Sequence, residues 1–309
     1  MGDKYMLDRV GTDTEIFLRS IETNQPIPVI GLIGGTKHHP KPIRELGKGF
    51  CVQEDNVMLE YNIPAAKTKE EFVNNVMKMN SYLQELLQKK GLKADICSSM
   101  AFTPTQLRHP QAQEIGCEPD WNVWTRSINP SPKENSLMNK IRTSGGHVHV
   151  SFSINGKKMT NIEIDDVFAK EPVVKALDIM NSIPSLMWDT DRPRLKLYGK
   201  PGAFRNKNYG IEHRTLSNWW TRSPKEIAWV FEGVEKAFYV LNHEGIRVIE
   251  SIQPYIHEAF AVINTRSKEA EEYIRLICTM FGIMDRLPQG TVPYPGKVTQ
   301  FDYSEMKRK

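Results

Sequence analysis

Four short segments with a period of two constrain this chain more than anything else in it: Asp13-Thr14-Glu15, Glu60-Tyr61-Asn62, His147-Val148-His149 and Glu212-His213-Arg214. In a β-strand, residues i and i+2 point to the same face of the sheet. Each segment can therefore place two polar groups on one side, while the residue between them faces the other way. An acidic pair, an acid with an amide, an imidazole pair and an acid beside an arginine make an inventory suited to divalent metal ions and a polyphosphate.

The surrounding patterns support strands at these places. Met6 to Arg19, Val57 to Tyr61, His147 to Ile154 and Tyr209 to Leu216 alternate β-branched or aromatic residues with polar ones and are flanked by turn residues. Long helices and loops separate them, which would permit a parallel sheet. The polar alternation instead favours an antiparallel sheet with one face open to ligand. Four helical patterns accompany the strands. Thr68 with Glu71 forms a capping box that starts a helix running to about Lys90, where Gly91 is the stop. A second pattern spans Ile164 to Ser182, ahead of Pro184. Ser223-Pro224-Lys225-Glu226 caps a third helix that runs to about His243, and a fourth follows Ser267.

With 309 residues, 39% hydrophobic and 25% charged, the chain has the composition of a globular protein with one large domain or two small ones. No apolar run approaches a membrane span, and Met1-Gly2-Asp3-Lys4 opens on charge rather than on a signal core, so a cytoplasmic protein is expected. Cys51, Cys97, Cys117 and Cys278 form no C-x-x-C pair, as expected of free thiols, and nothing pairs Cys117 with a particular histidine for nucleophilic catalysis. The net charge of +4 is mild and the tail Lys307-Arg308-Lys309 is the only concentrated basic run, so nucleic-acid binding is neither supported nor excluded.

Asp13, Glu15, Glu60 and Glu212 are the candidate metal ligands, because oxygen-rich carboxylate sites suit Mg²⁺ or Mn²⁺. Arginine forks bind phosphate oxygens in pairs. Arg192, Arg194, Arg205 and Arg214 are candidates for that role, and the run Arg194 to Arg205, rich in cations and glycine, reads as a loop that wraps an anion or as a basic surface hairpin. Gly31 to Lys37 lacks the spacing of a Walker phosphate loop and reads as a flexible loop near the substrate, with Lys37 as an anion contact or part of a plain surface turn. Trp121, Trp124, Trp219 and Trp220 are candidates either for stacking a ligand or for core packing.

The order of motifs, from D-x-E through a second glutamate and S-G-G-H-V-H to E-x-R, resembles the carboxylate-amine ligases of the glutamine synthetase and glutamate-cysteine ligase superfamily. Within it the chain resembles the phage-associated COOH-NH2 ligase type 2, or amidoligase, family. The matching stretches are Gly11 to Glu15, Gln53 to Asn62, Cys117 to Trp124, Gly145 to His149, Arg192 to Arg205 and Gly210 to Trp220. The resemblance implies an α+β fold with a mainly antiparallel, curved sheet and helices packed on one face, like a glutamine synthetase catalytic domain. It implies one catalytic domain over residues 1–309, mainly helical and without a motif from about residue 221. By resemblance His147 joins the metal set Asp13, Glu15, Glu60 and Glu212, while His149, Arg194, Arg205, Arg214 and Lys37 face the nucleotide phosphates. Glu60, Arg205 and Arg214 would be catalytic. The implied activity is ATP- and Mg²⁺-dependent, with Mn²⁺ as a substitute, and forms an amide through an acyl phosphate. The partners would be small-molecule or peptide carboxylates and amines, or a modified nucleotide, with no membrane, in a host cytoplasm if phage-encoded. Two other readings use the same residues: a guanidino or amine kinase, and a non-catalytic nucleotide- or metal-binding protein.

Overall fold

A computed structural model of the chain describes residues 2–114, 120–130, 135–160, 164–265, 267–293 and 295. Cys117 and the basic tail 307–309 lie outside the described residues. Among those described, the dominant element is a twelve-stranded sheet in which every pairing is antiparallel. Its centre consists of β1 (Tyr5–Ser20), β2 (Cys51–Asp55), β3 (Met58–Asn62), β4 (Gly146–Ile154), β5 (Ala203–Lys207) and β6 (Gly210–His213). Across the sheet these run in the order β2, β3, β1, β4, β6, β5, with Lys41–Pro42 outside β2 and Trp121–Asn122 and Ser127–Ile128 outside β5. The expected strands are present, with β6 ending at His213, short of Leu216. The result is the α+β class with a large antiparallel sheet that the polar alternation predicts.

The register explains why the polar pairs meet. Glu60 stands opposite both Gln53 and Glu15, Asp13 opposite His147, and Glu212 opposite both His149 and Arg205. A slip of one residue in any strand would send its set to the other face. That other face is the core. Val148, Val150, Phe152, Leu59, Tyr61 and Ile211 are buried there against α1 (Lys69–Gln88) and α2 (Pro224–His243). In α1 the buried Phe72, Val76, Met79, Leu83 and Leu87 recur at helical spacing and form one stripe. Phe72 stacks on Trp220 with centroids 5.8 Å apart and also meets Phe231 of α2.

The caps form where the local sequence places them. Thr68, Ser223 and Ser267 each accept a hydrogen bond from the backbone N–H three residues on, and Gly91 takes the left-handed conformation at the end of α1. The expected helix from Ile164 to Ser182 is instead broken and extended. Helical turns at Ile164–Ala169 and Glu171–Leu177 lead into a π turn at Asp178–Ser182, and Ile183–Trp188 then continues through Pro184. Pro184 follows directly on the π turn, whose wider hydrogen-bond spacing interrupts the regular α-helical ladder where the proline lacks an N–H. Helices at Ile246–Ser251 and Gln253–Thr265 lie in the region expected to be mainly helical but are not among the four patterns read individually. Among the described residues no helix is long and apolar enough to cross a membrane.

Candidate active site

The open face of the sheet brings Asp13, Glu15, Glu60, His147, His149, Glu212 and Arg214 together in two groups. In the first, Glu15, Asp55 and Glu60 offer carboxylate oxygens within 4.8 Å of one another. Glu15 and Glu60 are buried and Asp55 partly so. Gly145 donates its backbone N–H to Glu15. Burial raises the Glu15 carboxyl to about 8, helped by the neighbouring Asp55 charge. Burial also lifts Glu60 well above the usual carboxylate range, with Asp13, Asp55 and Glu15 adding repulsion, and it raises Asp55 despite the attraction of Lys37. Among the described residues no lysine or arginine comes within ion-pair distance of these three carboxylates. Three clustered carboxyl groups whose ionisation is opposed by burial and by one another fit a divalent cation by charge and by ligand type.

The second group is Asp13, His149 and Glu212. Asp13 Oδ1 lies 2.9 Å from His147 Nδ1 and 3.1 Å from His149 Nε2. Burial opposes ionisation of Asp13, but the two imidazoles outweigh it and hold the carboxyl well below the usual range. The same attraction raises His149 against its own burial, whereas burial and the nearby Arg214 depress His147. Of the two histidines, His149 is the one grouped with Asp13 and Glu212, and it also lines the neighbouring cavity, whereas His147 is a buried connector. His147 binds Asp13 through one nitrogen and the Tyr198 hydroxyl, 2.9 Å away, through the other. Gly145 permits this arrangement, because a Cβ there would fall 2.1 Å from His147 Nε2.

The arginines divide. Arg205 is partly exposed and reaches toward Asp120 (3.5 Å) and Glu212 (3.9 Å). Arg214 is buried and braced by Glu212, the Tyr198 hydroxyl and Asp120, the last at 2.8 Å. Arg194 corrects the expectation of an anion-wrapping loop. It sits on the helix Arg192–Leu197 with no solvent exposure and donates to the carbonyls of Ser144 (2.6 Å), Thr215 (2.7 Å) and Leu216 (2.8 Å). Gly199 lies against it so closely that a Cβ would meet Arg194 Nη1 at 2.4 Å. All three sides of the fork are spent on the main chain, which removes Arg194 from the phosphate set and makes it a brace under the site. Of Arg192 the structure describes only the backbone, as the first residue of that helix.

Gly31 to Lys37 is hydrogen-bonded along its length. Glu54 accepts the N–H groups of Gly31, Ile33 and Gly34 at 2.7–2.9 Å, and Lys41 Nζ donates to the Ile33 carbonyl at 3.1 Å. Thr36 and His39 then exchange backbone hydrogen bonds, so the exposed Lys37 sits at the tip of a tight turn on the Asp55 side of the site. Trp124, Trp219 and Trp220 are core residues. Trp124 donates to Asp178, which also pairs with His213 beneath the sheet, and Trp219 stacks on Trp188. Trp121, half-buried on the strand beside β5, packs against the core cluster.

Residues that the sequence reading missed are Asp55, Asp120, Tyr198, Lys207 and Tyr209. Tyr209 hydrogen-bonds to His149 Nδ1 and forms one wall of a cavity of about 820 Å³. Gly11, Asn62, Ile63 and Ser151 also line it, and it opens directly from the His149 end of the acidic row.

No family model and no curated protein matches this sequence. As a fold, the chain is similar to the crystal structure of a bifunctional glutathione synthetase from Pasteurella multocida, at 12% identity and a TM-score of 0.41. That similarity covers 91% of this chain and 48% of that one, so this chain spans about half its length. It is also similar to the crystal structure of a novel glutamine synthase homolog, at 11% identity and a TM-score of 0.36, covering 89% of this chain and 71% of that one.

Proposed function

We propose that this chain is an ATP-dependent carboxylate-amine ligase of the amidoligase kind. A substrate carboxylate takes the terminal phosphoryl group of ATP, and an amine then displaces phosphate to form an amide. The observation that carries the reading is the buried Glu15–Asp55–Glu60 trio next to an arginine-lined end of the same open sheet face. Glu15, Asp55 and Glu60 would hold a divalent ion, and Asp13, His149 and Glu212 offer a second set of ligand types. A bound divalent ion would neutralise phosphate charge where it develops.

The remaining roles belong to the protein's own groups. The cavity beside His149 and Tyr209 is large enough for a nucleotide. Arg205, the most accessible arginine of the site, faces the transferred phosphoryl group with its fork. Arg214 orients Glu212 and Tyr198, and Arg194 keeps the strand ends carrying them in place. Lys37 meets an acidic group of the substrate at the rim.

ADP release from ATP and Mg²⁺, measured against a panel of carboxylates and amines, tests this. Release that needs both an acid and an amine, and is lost in Glu60→Gln, supports ligation. Release with an amine or guanidine alone replaces it with a kinase, and ATP binding without any turnover replaces it with a binding protein.

A further inference from the structure

Glu212 is 1% exposed, and both of its carboxylate oxygens are already paired. Oε1 meets Arg214, with Arg205 at 3.9 Å; Oε2 lies 2.6 Å from Lys207 Nζ. Three carboxylates at this end, Asp13, Asp120 and Glu212, thus face three permanent cations, Arg205, Lys207 and Arg214. The backbone that carries Lys207 is fixed, while its side chain is 32% exposed and reaches inward to Glu212. Lys207 pairs with Gly210 across the β5–β6 hairpin, and its carbonyl accepts from the fully buried Lys170 Nζ at 3.1 Å. Gly210 packs so tightly on β4 that a Cβ would fall 2.1 Å from the Val150 carbonyl oxygen, which fixes the hairpin against His149.

We propose that the Lys207 ammonium is a built-in cation of this site, standing at Asp13–His149–Glu212 where a second divalent ion would otherwise bind. The chain then takes a single divalent ion, at Glu15–Asp55–Glu60. The two groups contain similar ligand types, and what separates them is the company they keep. A divalent ion entering the second group must displace an ammonium from a nearly dry carboxylate and approach two guanidinium groups. At ~4 Å and an effective dielectric of about 20 each such repulsion is large compared with thermal energy. An ammonium tethered by the fold gives the same end of the site a permanent positive charge at every metal concentration. The inference rests on the metal-dependent reading above and deepens it.

Mn²⁺ is the probe, counted per chain by electron paramagnetic resonance and calorimetry. The wild type should bind one ion, Glu60→Gln none, Lys207→Met two, and Glu60→Gln/Lys207→Met one. Affinity of the second group should rise by roughly 100-fold or more once the lysine charge is removed. Lys207→Arg should return the count to one. Thermal melting of each variant keeps a folding failure from passing as a lost site. Lys207→Gln, a neutral polar replacement, should also bind two ions and stands in if the Met variant unfolds. Two ions in the wild type, or one in a folded Lys207→Met, would overturn the proposal. Failure of the ligase reading is separate: it appears as the absence of ADP release dependent on acid and amine while the counts of one and two still hold.

Discussion

Two acidic groups share one face of one sheet and balance their charge in opposite ways. Glu15, Asp55 and Glu60 repel one another and draw protons. Asp13 and Glu212 are neutralised by imidazole, guanidinium and ammonium groups. Glu15, Glu60 and Glu212 are all buried, so the contrast does not come from burial alone. It comes from which residue the register sets opposite each acid: Gln53 and another glutamate for Glu60, Arg205 and His149 for Glu212. A sheet therefore writes a charge gradient into a row of alternating side chains, with a cation-hungry end and a cation-filled end about two strands apart.

The sharpest way to break this comparison is to neutralise one acid of the hungry end. Glu60→Gln should lower the rate of ADP release by ~10³-fold or more, because a divalent ion contributes several kcal/mol to phosphoryl transfer. The same change should raise the melting temperature of the metal-free protein above neutral pH, since folding no longer has to bury a carboxyl whose ionisation the site opposes. Loss of turnover together with a lower melting temperature would mean that Glu60 acts structurally and that the trio is not a strained cation site.

Arg194→Met tests whether the cation beneath the filled end is structural. It should cost about 3–5 kcal/mol in urea unfolding, because three buried carbonyls lose their donor at once. A stable variant with a selective rise in the KM for ATP would return Arg194 to the phosphate set.

The hungry end also predicts a pH dependence. Glu15 in the folded protein holds its proton up to about 8, against 4.5 for a free carboxyl. The folded state therefore binds more protons than the unfolded chain across that window. Its stability is fully present below the unfolded value and falls as pH rises from about 4.5 toward 8. The melting temperature of metal-free protein should drop over this range, by about 2–4 °C for each kcal/mol lost, and Mg²⁺ should flatten the curve. A flat curve without metal would remove the electrostatic strain from the trio.

Much of this site was legible because the governing rules are local. Side-chain parity in a strand needs only neighbours i and i+2, which is why spacing alone pairs Asp13 with Glu15, His147 with His149 and Glu212 with Arg214 on one face of their own strands. Thr68, Ser223 and Ser267 start their helices through bonds to residues three positions on. What failed to show depends on contacts between distant segments. Asp55 sits at a hairpin end beside Asn56, which has a positive φ of 54°, and so looks like turn chemistry until Glu15, forty residues earlier in the chain, is brought beside it. Lys207 and Tyr209 belong to the hairpin between two matched motifs; Lys207 meets Glu212 only once that hairpin closes, and Tyr209 meets His149 only once β6 lies against β4. Arg194 misled for the opposite reason. Its neighbours have the composition of an anion loop, but a helix there turns the guanidinium inward to a set of carbonyls that no spacing rule reveals.

The smallest expected effect concerns the rim of the hungry end, where Lys37 bears most strongly among the cations on Asp55, ahead of His147 and Arg214. Its turn is fixed by Glu54, so the lysine is presented by a rigid support while its own side chain remains exposed. Lys37→Ala should leave the melting temperature within about 1 °C, as surface changes usually do. The KM for an acidic substrate should rise severalfold at low salt with kcat nearly unchanged, because an exposed charge contributes ~1 kcal/mol to binding and is screened by ions. Measured at increasing ionic strength, the wild-type and variant KM values should converge. If kcat fell instead and salt made no difference, Lys37 would be working inside the trio, and the hungry end would hold a cation of its own after all.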